Sequence, residues 1–367
     1  MKRLIAVTLA VACVGGALTV AQTPTPYKLG TFESQGRTFV GLVLRDAVVV
    51  DLAAADKAVA TSRQRVAMPS DMKDLITRYD AGLRERLGEI AAAASAAGAG
   101  LPAYARQLSG VKTLPPIMYP TTMLNAAVNY REHGAEVVQR DTARGIATAP
   151  TTTAPGDALP NTTSAPGIWE RAKDDTRWNP YMFLKASSTV VGEGDNILIP
   201  PGRTQIDWEC ELGVVVGRTA SRVALSQARS YIFGYTLELD VSDRQGRGDT
   251  RHGSDWLIGK SHDTFAPTGP FIVPKEFVRD IQKVGIKFTL NGVVMQDANT
   301  SLMIHSVDEL VSFGSNILTL RPGDVIATGS PAGVGSARTP PIYLKPGDKT
   351  VCTYEGVGTL TKTVAAR

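Results

Sequence analysis

Two carboxylates lie two positions apart at the head of an apolar, β-branched run. They are Glu209 and Glu211, in residues 207–217. The run is typical of a β-strand, whose side chains alternate between faces, so both carboxylates should project from one face while Cys210 and Leu212 point to the other. Two buried like charges repel unless a cation or a proton relieves them. The pair therefore predicts a metal site, or a plain polar strand face if that face is solvated.

A third carboxylate, Asp240, lies near the end of a second strand-like run, residues 234–242. If the two strands are neighbours, Asp240 comes to lie beside the first pair. Three carboxylates without a nearby Cys or His pair form an all-oxygen ligand set, which favours Mg²⁺, Mn²⁺ or Ca²⁺ over zinc or copper. We therefore expect Glu209, Glu211 and Asp240 to hold a hard divalent cation.

An imidazole and a carboxylate lie three positions apart upstream of these strands. They are His133 and Glu136, in residues 129–136. On a helical turn this spacing puts both side chains on one face, where the carboxylate can orient the ring and support its basicity. The pair predicts an acid–base dyad, and a surface hydrogen bond is the alternative.

A lysine, Lys260, is embedded among apolar and turn residues at 256–270. A buried ammonium there needs carboxylate partners or a ligand anion. His262 follows two residues later and could line the edge of a pocket. His252 and His305 have no metal-ligand spacing and are interpreted as surface or core polar residues.

The elements that position these residues fall into two units. Residues 27–52 read as short strands, and Ser70 is the predicted cap of a helix whose apolar positions run from Met72 to Ile90 near the 3.6 period. Prolines between 115 and 120 interrupt any helix or central strand. We predict a small N-terminal α/β domain over residues 22–115 and a β-rich second domain over residues 116–367.

The second domain carries clear turn signals. Asn291-Gly292 lies between two strand-like runs and predicts a hairpin, and short helices are predicted at Ser221–Ser230 and Ser306–Ser315. Residues 137–177 are predicted to be an insertion or lid loop, since 146–168 are mostly Ala, Thr, Pro, Gly and Ser.

The chain starts like a secretory leader. A basic start at residues 1–3, an apolar run over 4–20 and a small-residue exit predict cleavage near Ala21. An uncleaved anchor and a lipoprotein signal at Cys13 are the alternatives. We expect an exported protein, in the bacterial periplasm or outside the cell, without stable membrane insertion after cleavage of residues 1–21.

Composition limits the remaining possibilities. The chain has 367 residues, 43% of them hydrophobic, which is enough for a large core. Removing Lys2 and Arg3 with the leader lowers the formal charge of +4 by two, and no basic run remains, which argues against nucleic-acid binding. Cys210 and Cys352 would remain in an oxidising compartment and could pair, but their strand-like apolar settings favour two separate buried side chains over a disulfide.

Six sequence blocks, taken in order, resemble the fumarylacetoacetate hydrolase family over most of the chain after Pro116. The blocks are an Asn-Tyr-x-x-His-x-x-Glu segment at 129–136 and residues 181–185, 206–212, 234–242, 256–270 and 328–335. The resemblance implies an α+β, β-rich fold in which a mixed β-roll catalytic domain of this type follows the small N-terminal domain. It also implies a homodimer.

The resemblance further implies chemistry on a small 2-oxo or 2,4-dioxo acid through an enolate chelated by Mg²⁺ or Mn²⁺. Hydrolysis or decarboxylation of a C–C bond is the first expectation. A 2-hydroxyhepta-2,4-diene-1,7-dioate-type isomerase, a ureidoglycolate-type lyase and an exported dicarboxylate-binding protein without activity remain open.

Residue roles follow from the same resemblance. The metal ligands are Glu209, Glu211 and Asp240, the catalytic groups are His133, Glu136 and Lys260, and the substrate contacts are Tyr130, Lys185, Arg244, Gln245 and Thr328. The turn after Asp240 departs from the family's usual Val-Ser/Thr-Ala-Arg-Asp-x-Gln, since residues 241–246 read Val-Ser-Asp-Arg-Gln-Gly.

Overall fold

The computed structural model describes residues 24–97, 100–143, 165, 167–169, 174–175, 177–245 and 254–367. The predicted leader, His252 and most of the 146–168 segment lie outside these ranges. Within them, no helix has the length and apolar character needed to cross a membrane.

The amino-terminal unit combines antiparallel strands with helices. Its elements are β1 Lys28–Ser34, β2 Arg37–Leu44, β3 Val48–Asp51, α1 Leu52–Ala58, α2 Met72–Arg78, α3 Arg84–Ala96, β4 Ala105–Gln107 and β5 Lys112–Leu114.

The predicted helix over residues 72–90 forms with two differences. The cap is Asp71, whose side chain accepts a hydrogen bond from the amide of Asp74, so the prediction of Ser70 as cap is wrong by one residue. The helix is also interrupted between α2 and α3, because Gly82 adopts a positive φ of 97° that a helix interior does not allow.

The second unit is β-rich with few helices, as predicted. Its elements are β6 Met123–Ala127, α4 Arg131–Ala143, β7 Tyr181–Lys185, β8 Val190–Val191, β9 Ile197–Ile199, β10 Ile206–Asp207, β11 Cys210–Val216, α5 Leu225–Ala228, β12 Ile232–Leu239, β13 Ser242–Asp243, α6 Trp256–Lys260, β14 Ala266–Pro274, β15 Gly285–Leu290, β16 Val293–Asn299, α7 Val307–Ile317, β17 Val325–Ala327, β18 Lys349–Tyr354 and β19 Gly358–Ala366.

Local signals in this unit have mixed outcomes. The Asn291-Gly292 hairpin is confirmed, with both residues at positive φ as a two-residue turn of this type requires. The helix predicted at Ser306–Ser315 is confirmed as α7, and Ser306 caps it. Helix α4 continues to Ala143, so the start of the predicted 137–177 loop is helical instead.

One large sheet runs through both units. Its strand order is β4-β3-β2-β1-β14-β12-β11-β17-β6-β7, and Leu29 of β1 pairs with Ile272 of β14 across the junction. A five-stranded sheet, β16-β15-β18-β19-β9, packs against its second half, while β10 and β13 form a separate ribbon. The larger apolar core includes residues of β11, β12, β15 and β18.

A disulfide joins the two sheets. Cys210 of β11 and Cys352 of β18 are bonded, with their Cα atoms 5.6 Å apart, so the prediction of separate side chains is wrong. The strand pattern around each cysteine correctly predicted a buried side chain. The packing of β11 against β18 is a long-range feature, however, and neither local pattern contains it.

Candidate metal centre and active site

Strand register brings four carboxylates to one face. β11 and β12 are antiparallel neighbours, with Cys210 opposite Leu239 and Glu211 opposite Glu238, and the amide of Asp240 donates to the carbonyl of Glu209 at 2.9 Å. Opposed residues of paired strands project to the same side. Glu209, Glu211, Glu238 and Asp240 therefore lie together, while Cys210 and Leu212 enter the core.

The three predicted ligands form a compact group. One carboxylate oxygen from each of Glu209, Glu211 and Asp240 lies within 4.8 Å of the others, and all three residues are buried. The amide of Gly329 donates to Oε2 of Glu211 at 2.8 Å and holds that side chain in place.

Buried cations surround this group. Nζ of Lys260, at the end of α6, lies 2.7 Å from Oε2 of Glu209 and 2.5 Å from Oδ2 of Asp240. Lys185, at the end of β7, pairs with Asp240 and donates to the carbonyl of Val241 at 3.1 Å. The edge strand β7 and the short helix α6 thus each deliver one ammonium.

The charges of this cluster suit a divalent cation. Within the described ranges it holds the carboxylates Asp207, Glu209, Glu211, Glu238 and Asp240 and the cations Lys185, Arg244 and Lys260, so with every one of these groups ionised the described cluster carries two surplus negative charges.

The titration behaviour of the carboxyls agrees with this surplus of negative charge. Burial together with Asp240, Glu209 and Glu238 raises the pKa of Glu211 well above its usual value. Burial raises the pKa of Glu238 to about 7, and within the described ranges its Oε2 atom has no hydrogen-bond partner. Without an ion, protons bound to these carboxyls must neutralise the surplus negative charge. A hard divalent ion would neutralise the same charge, so the residues fit Mg²⁺ or Mn²⁺.

Glu209 behaves differently from its neighbours. Burial alone would raise its pKa, but Lys260, Arg244 and His133 outweigh burial and hold the pKa well below the usual value. Glu209 therefore stays an anionic carboxylate throughout the ordinary pH range, as a ligand of a hard cation must.

The predicted dyad forms on α4. His133 is 5% exposed, and its Nδ1 lies 3.4 Å from Oε2 of Glu136. Glu136 in turn accepts the amide of Gly333 at 2.8 and 3.0 Å. A ring held through Nδ1 presents Nε2 as the proton acceptor, which is the arrangement needed for general base catalysis.

The predicted substrate contacts lie at different places. Tyr130 is buried, and burial together with Glu211 raises its pKa. Thr328 is fully buried beside Gly329, and within the described ranges its hydroxyl has no partner. The side-chain oxygen of Gln245 instead accepts hydrogen bonds from the amide and the hydroxyl of the exposed Thr204, at 3.0 and 3.1 Å.

Two predicted residues are tied to carboxylates. Lys185 binds Asp240, and Arg244 donates to Asp207 at 2.9 Å and also to Glu209. His262, predicted at the pocket edge, lies 3.2 Å from Asp243. His305 is buried against Trp169, as a core polar residue.

Sequence reasoning missed several members of the site. Glu238 stands two positions before Asp240, the same spacing as Glu209 and Glu211, and this spacing is the sequence signal that identifies it. The amides of Gly329, Gly333 and Gly335 also belong to the site, because they bind the carboxylates of Glu211, Glu136 and Asp207, respectively. No sequence signal identifies an amide donor of this kind.

Known proteins share this chain's sequence over part of its length. It is 39% identical over 182 residues to oxaloacetate tautomerase Fahd2a, mitochondrial, from Rattus norvegicus, which covers 50% of this chain and 58% of that protein. It is 43% identical over 181 residues to 2,4-didehydro-3-deoxy-L-rhamnonate hydrolase from Sphingomonas sp. (strain SKA58), covering 49% and 63%. The match thus spans less than two thirds of either relative.

Solved structures share the fold over nearly the whole chain. Maleylpyruvate hydrolase from Sphingobium sp. SYK-6, in complex with manganese(II) ion and pyruvate, has a TM-score of 0.64 at 26% identity and covers 92% of this chain and 99% of its own. 5-Carboxymethyl-2-hydroxymuconate delta-isomerase from Mycobacterium smegmatis has a TM-score of 0.61 at 26% identity, covering 93% and 99%.

The second unit also matches a family model. Residues 122–365, well over half of the chain, match the one described as fumarylacetoacetate (FAA) hydrolase C-terminal. These residues include all three candidate metal ligands and both residues of the predicted dyad. The resemblance inferred from the six blocks is confirmed, and the chain belongs to the fumarylacetoacetate hydrolase family.

Proposed function

We propose that this protein is a divalent-metal-dependent hydrolase or decarboxylase that cleaves a C–C bond of a small 2-oxo or 2,4-dioxo acid. The observation that carries the proposal is the buried group of Glu209, Glu211 and Asp240, with ligand atoms within 4.8 Å of one another, next to buried cations. Mg²⁺ or Mn²⁺ bound there would supply a Lewis acid that stabilises negative charge on substrate oxygens.

The chain's own residues supply the remaining steps. The ammonium of Lys260, fixed by Glu209 and Asp240, provides positive charge for a substrate carboxylate or a developing enolate. His133, oriented by Glu136, accepts a proton from water in hydrolysis or moves a proton to carbon in decarboxylation. A binding protein would have no need of such a dyad, which favours catalysis.

A second candidate is an isomerase or tautomerase at the same site. Oxaloacetate tautomerases of mammals and of Xenopus laevis are 38–42% identical to this chain over about half its length. His133 would then carry a proton between a substrate carbon and the neighbouring carbonyl or enol oxygen, without activating water. The two candidates differ in products, because only C–C cleavage releases a smaller oxo acid such as pyruvate.

The test is a metal-supplemented panel of 2-oxo and 2,4-dioxo acids, with enol absorbance and pyruvate release measured separately. We expect turnover with Mg²⁺ or Mn²⁺, its loss on chelation, and a fall in kcat of roughly 100-fold or more in His133→Ala. Glu136→Gln should also be impaired, whereas Glu132→Gln, an exposed carboxylate on the same helix, should not. If the protein binds these acids without turning them over, and His133→Ala leaves this binding unchanged, the proposal that the protein is an enzyme is refuted.

We also propose export to the periplasm or the cell exterior. The Cys210–Cys352 disulfide supports it, because such bonds persist mainly in oxidising compartments. Fractionation of the native host checks this location, and recovery of the protein in the cytosol with both thiols reduced would contradict it.

A further inference from the structure

Asp207 is a fully buried carboxylate two residues before the ligand Glu209. Its Oδ1 accepts the amides of Gly335 at 2.7 Å and Trp208 at 2.9 Å. Its Oδ2 accepts the amide of Ser336 at 3.1 Å and Nε of Arg244 at 2.9 Å. These four hydrogen bonds fill the lone-pair sites of a carboxylate, so Asp207 has no capacity left to ligate an ion.

Arg244 links Asp207 to the candidate metal ligand Glu209. Its guanidinium is almost completely buried and donates through Nε to Asp207 and through a second nitrogen to Oε1 of Glu209. Oε2 of Glu209 faces Lys260 instead. A planar guanidinium held at one edge by Asp207 can restrict the carboxylate of Glu209 to one orientation.

The same carboxylate anchors the glycine loop, which we define as residues 329–336. Its amides at Gly329 and Gly333 bind Glu211 and Glu136, so the loop touches both a metal ligand and the dyad. At Gly335 a Cβ atom would lie 2.0 Å from the carbonyl of Ile342 and 2.8 Å from Oδ1 of Asp207. The close approach of this loop to Asp207 therefore depends on glycine.

We propose that Asp207 is a positioning residue of the metal centre: it holds Arg244 against Glu209 and locks the glycine loop to the ligand strand. The inference rests on the proposed function. Groups that orient metal ligands commonly change metal affinity when they are removed, although they do not touch the ion.

The test is Mn²⁺ binding to the full chain by calorimetry. Asp207→Asn keeps the size of the side chain but removes the charge that holds Arg244, and it should raise the Kd for Mn²⁺ by about 10- to 100-fold. Asp243→Asn is the matched control. Asp243 is equally buried, lies on the paired strand β13 and binds the guanidinium of Arg203. We expect this control to bind Mn²⁺ much as the wild type does.

Two outcomes overturn the inference while leaving the proposed function intact. One is wild-type Mn²⁺ affinity in folded Asp207→Asn. The other is an equal loss in both variants, which would indicate general loosening of the ribbon. If the wild-type chain itself does not bind Mn²⁺, the proposed function fails first.

A second variant covers the case in which Asp207→Asn does not fold. Arg244→Lys keeps the positive charge but cannot bridge two carboxylates as a guanidinium does, so it should weaken Mn²⁺ binding to a similar extent. Unchanged affinity in this variant would also overturn the inference.

Discussion

Removing the Cys210–Cys352 disulfide should cost this protein a large part of its free energy of unfolding. Both cysteines are fully buried, so a reductant cannot reach the bond in the folded protein. The suitable perturbation is therefore the double variant Cys210→Ala, Cys352→Ala, which keeps both positions apolar. Cys13→Ala serves as the control, because Cys13 lies in the predicted leader.

The size of the effect follows from the length of chain that the bond closes. The two cysteines are 142 residues apart. In the chain-entropy account, cross-linking a loop of this length stabilises the fold by about 5 kcal/mol at 25 °C. Since whole domains are typically stable by only about 5–15 kcal/mol, the loss should be plainly measurable.

Urea unfolding and thiol titration together provide the assay. The midpoint of the double variant should shift to lower urea, by an amount that corresponds to about 3–5 kcal/mol, while Cys13→Ala should unfold like the wild type. Under denaturing conditions without reductant, the full chain of three cysteines should show a single reactive thiol, and the chain that has lost residues 1–21 should show none. Because Cys210 lies between Glu209 and Glu211, Mn²⁺ binding should weaken as well.

An unchanged urea midpoint in the double variant would show that the Cys210–Cys352 bond does not stabilise the fold. Two reactive thiols, those of Cys210 and Cys352, in the denatured wild-type chain that has lost residues 1–21 and was purified from an oxidising compartment would refute the pairing itself. A fall in stability without any change in Mn²⁺ affinity would limit the role of the bond to the fold.

Three other substitutions test a candidate metal ligand, the support of the dyad and a buried carboxyl. Glu211→Gln should abolish Mn²⁺ binding yet raise the Tm of the metal-free protein, because burial and like charges already raise the pKa of this carboxyl; a lower Tm would contradict this. Gly333→Ala should lower kcat by about tenfold or more with the fold retained. Gly333 has a positive φ, and a Cβ atom there would lie only 2.1 Å from a backbone carbonyl, so the substitution would displace the amide that holds Glu136. A wild-type kcat in this variant would contradict the prediction. Burial raises the pKa of Glu193 from 4.5 to about 7. Between these pH values the native state therefore binds more protons than the unfolded chain. The contribution of this carboxyl to the free energy of unfolding is accordingly lost as the pH rises through about 7. Glu193→Gln should therefore gain Tm over the wild type at about pH 8 and much less at about pH 4.5; equal differences at both pH values would contradict the assignment.

Local sequence determined the strands and helices of the candidate site and the faces from which its side chains project. The period-two alternation of 207–217 correctly separated Glu209 and Glu211 from Cys210 and Leu212, because strand side chains alternate whatever the strand packs against. The three-residue spacing of His133 and Glu136 likewise predicted their contact on α4, since neighbours on a helix depend only on the helix itself. Turn chemistry at Asn291-Gly292 is equally local.

The tertiary structure decided which of these pieces meet. Register between β11 and β12 brings Glu238 into the carboxylate cluster, and the packing of β11 against β18 pairs two cysteines that looked independent. Burial then makes partners obligatory, because a charge removed from water needs a counter-charge or a hydrogen bond. For this reason Arg244, a predicted substrate contact, binds Asp207 and Glu209 instead. For the same reason glycine amides bind buried carboxylates, which only the three-dimensional structure reveals.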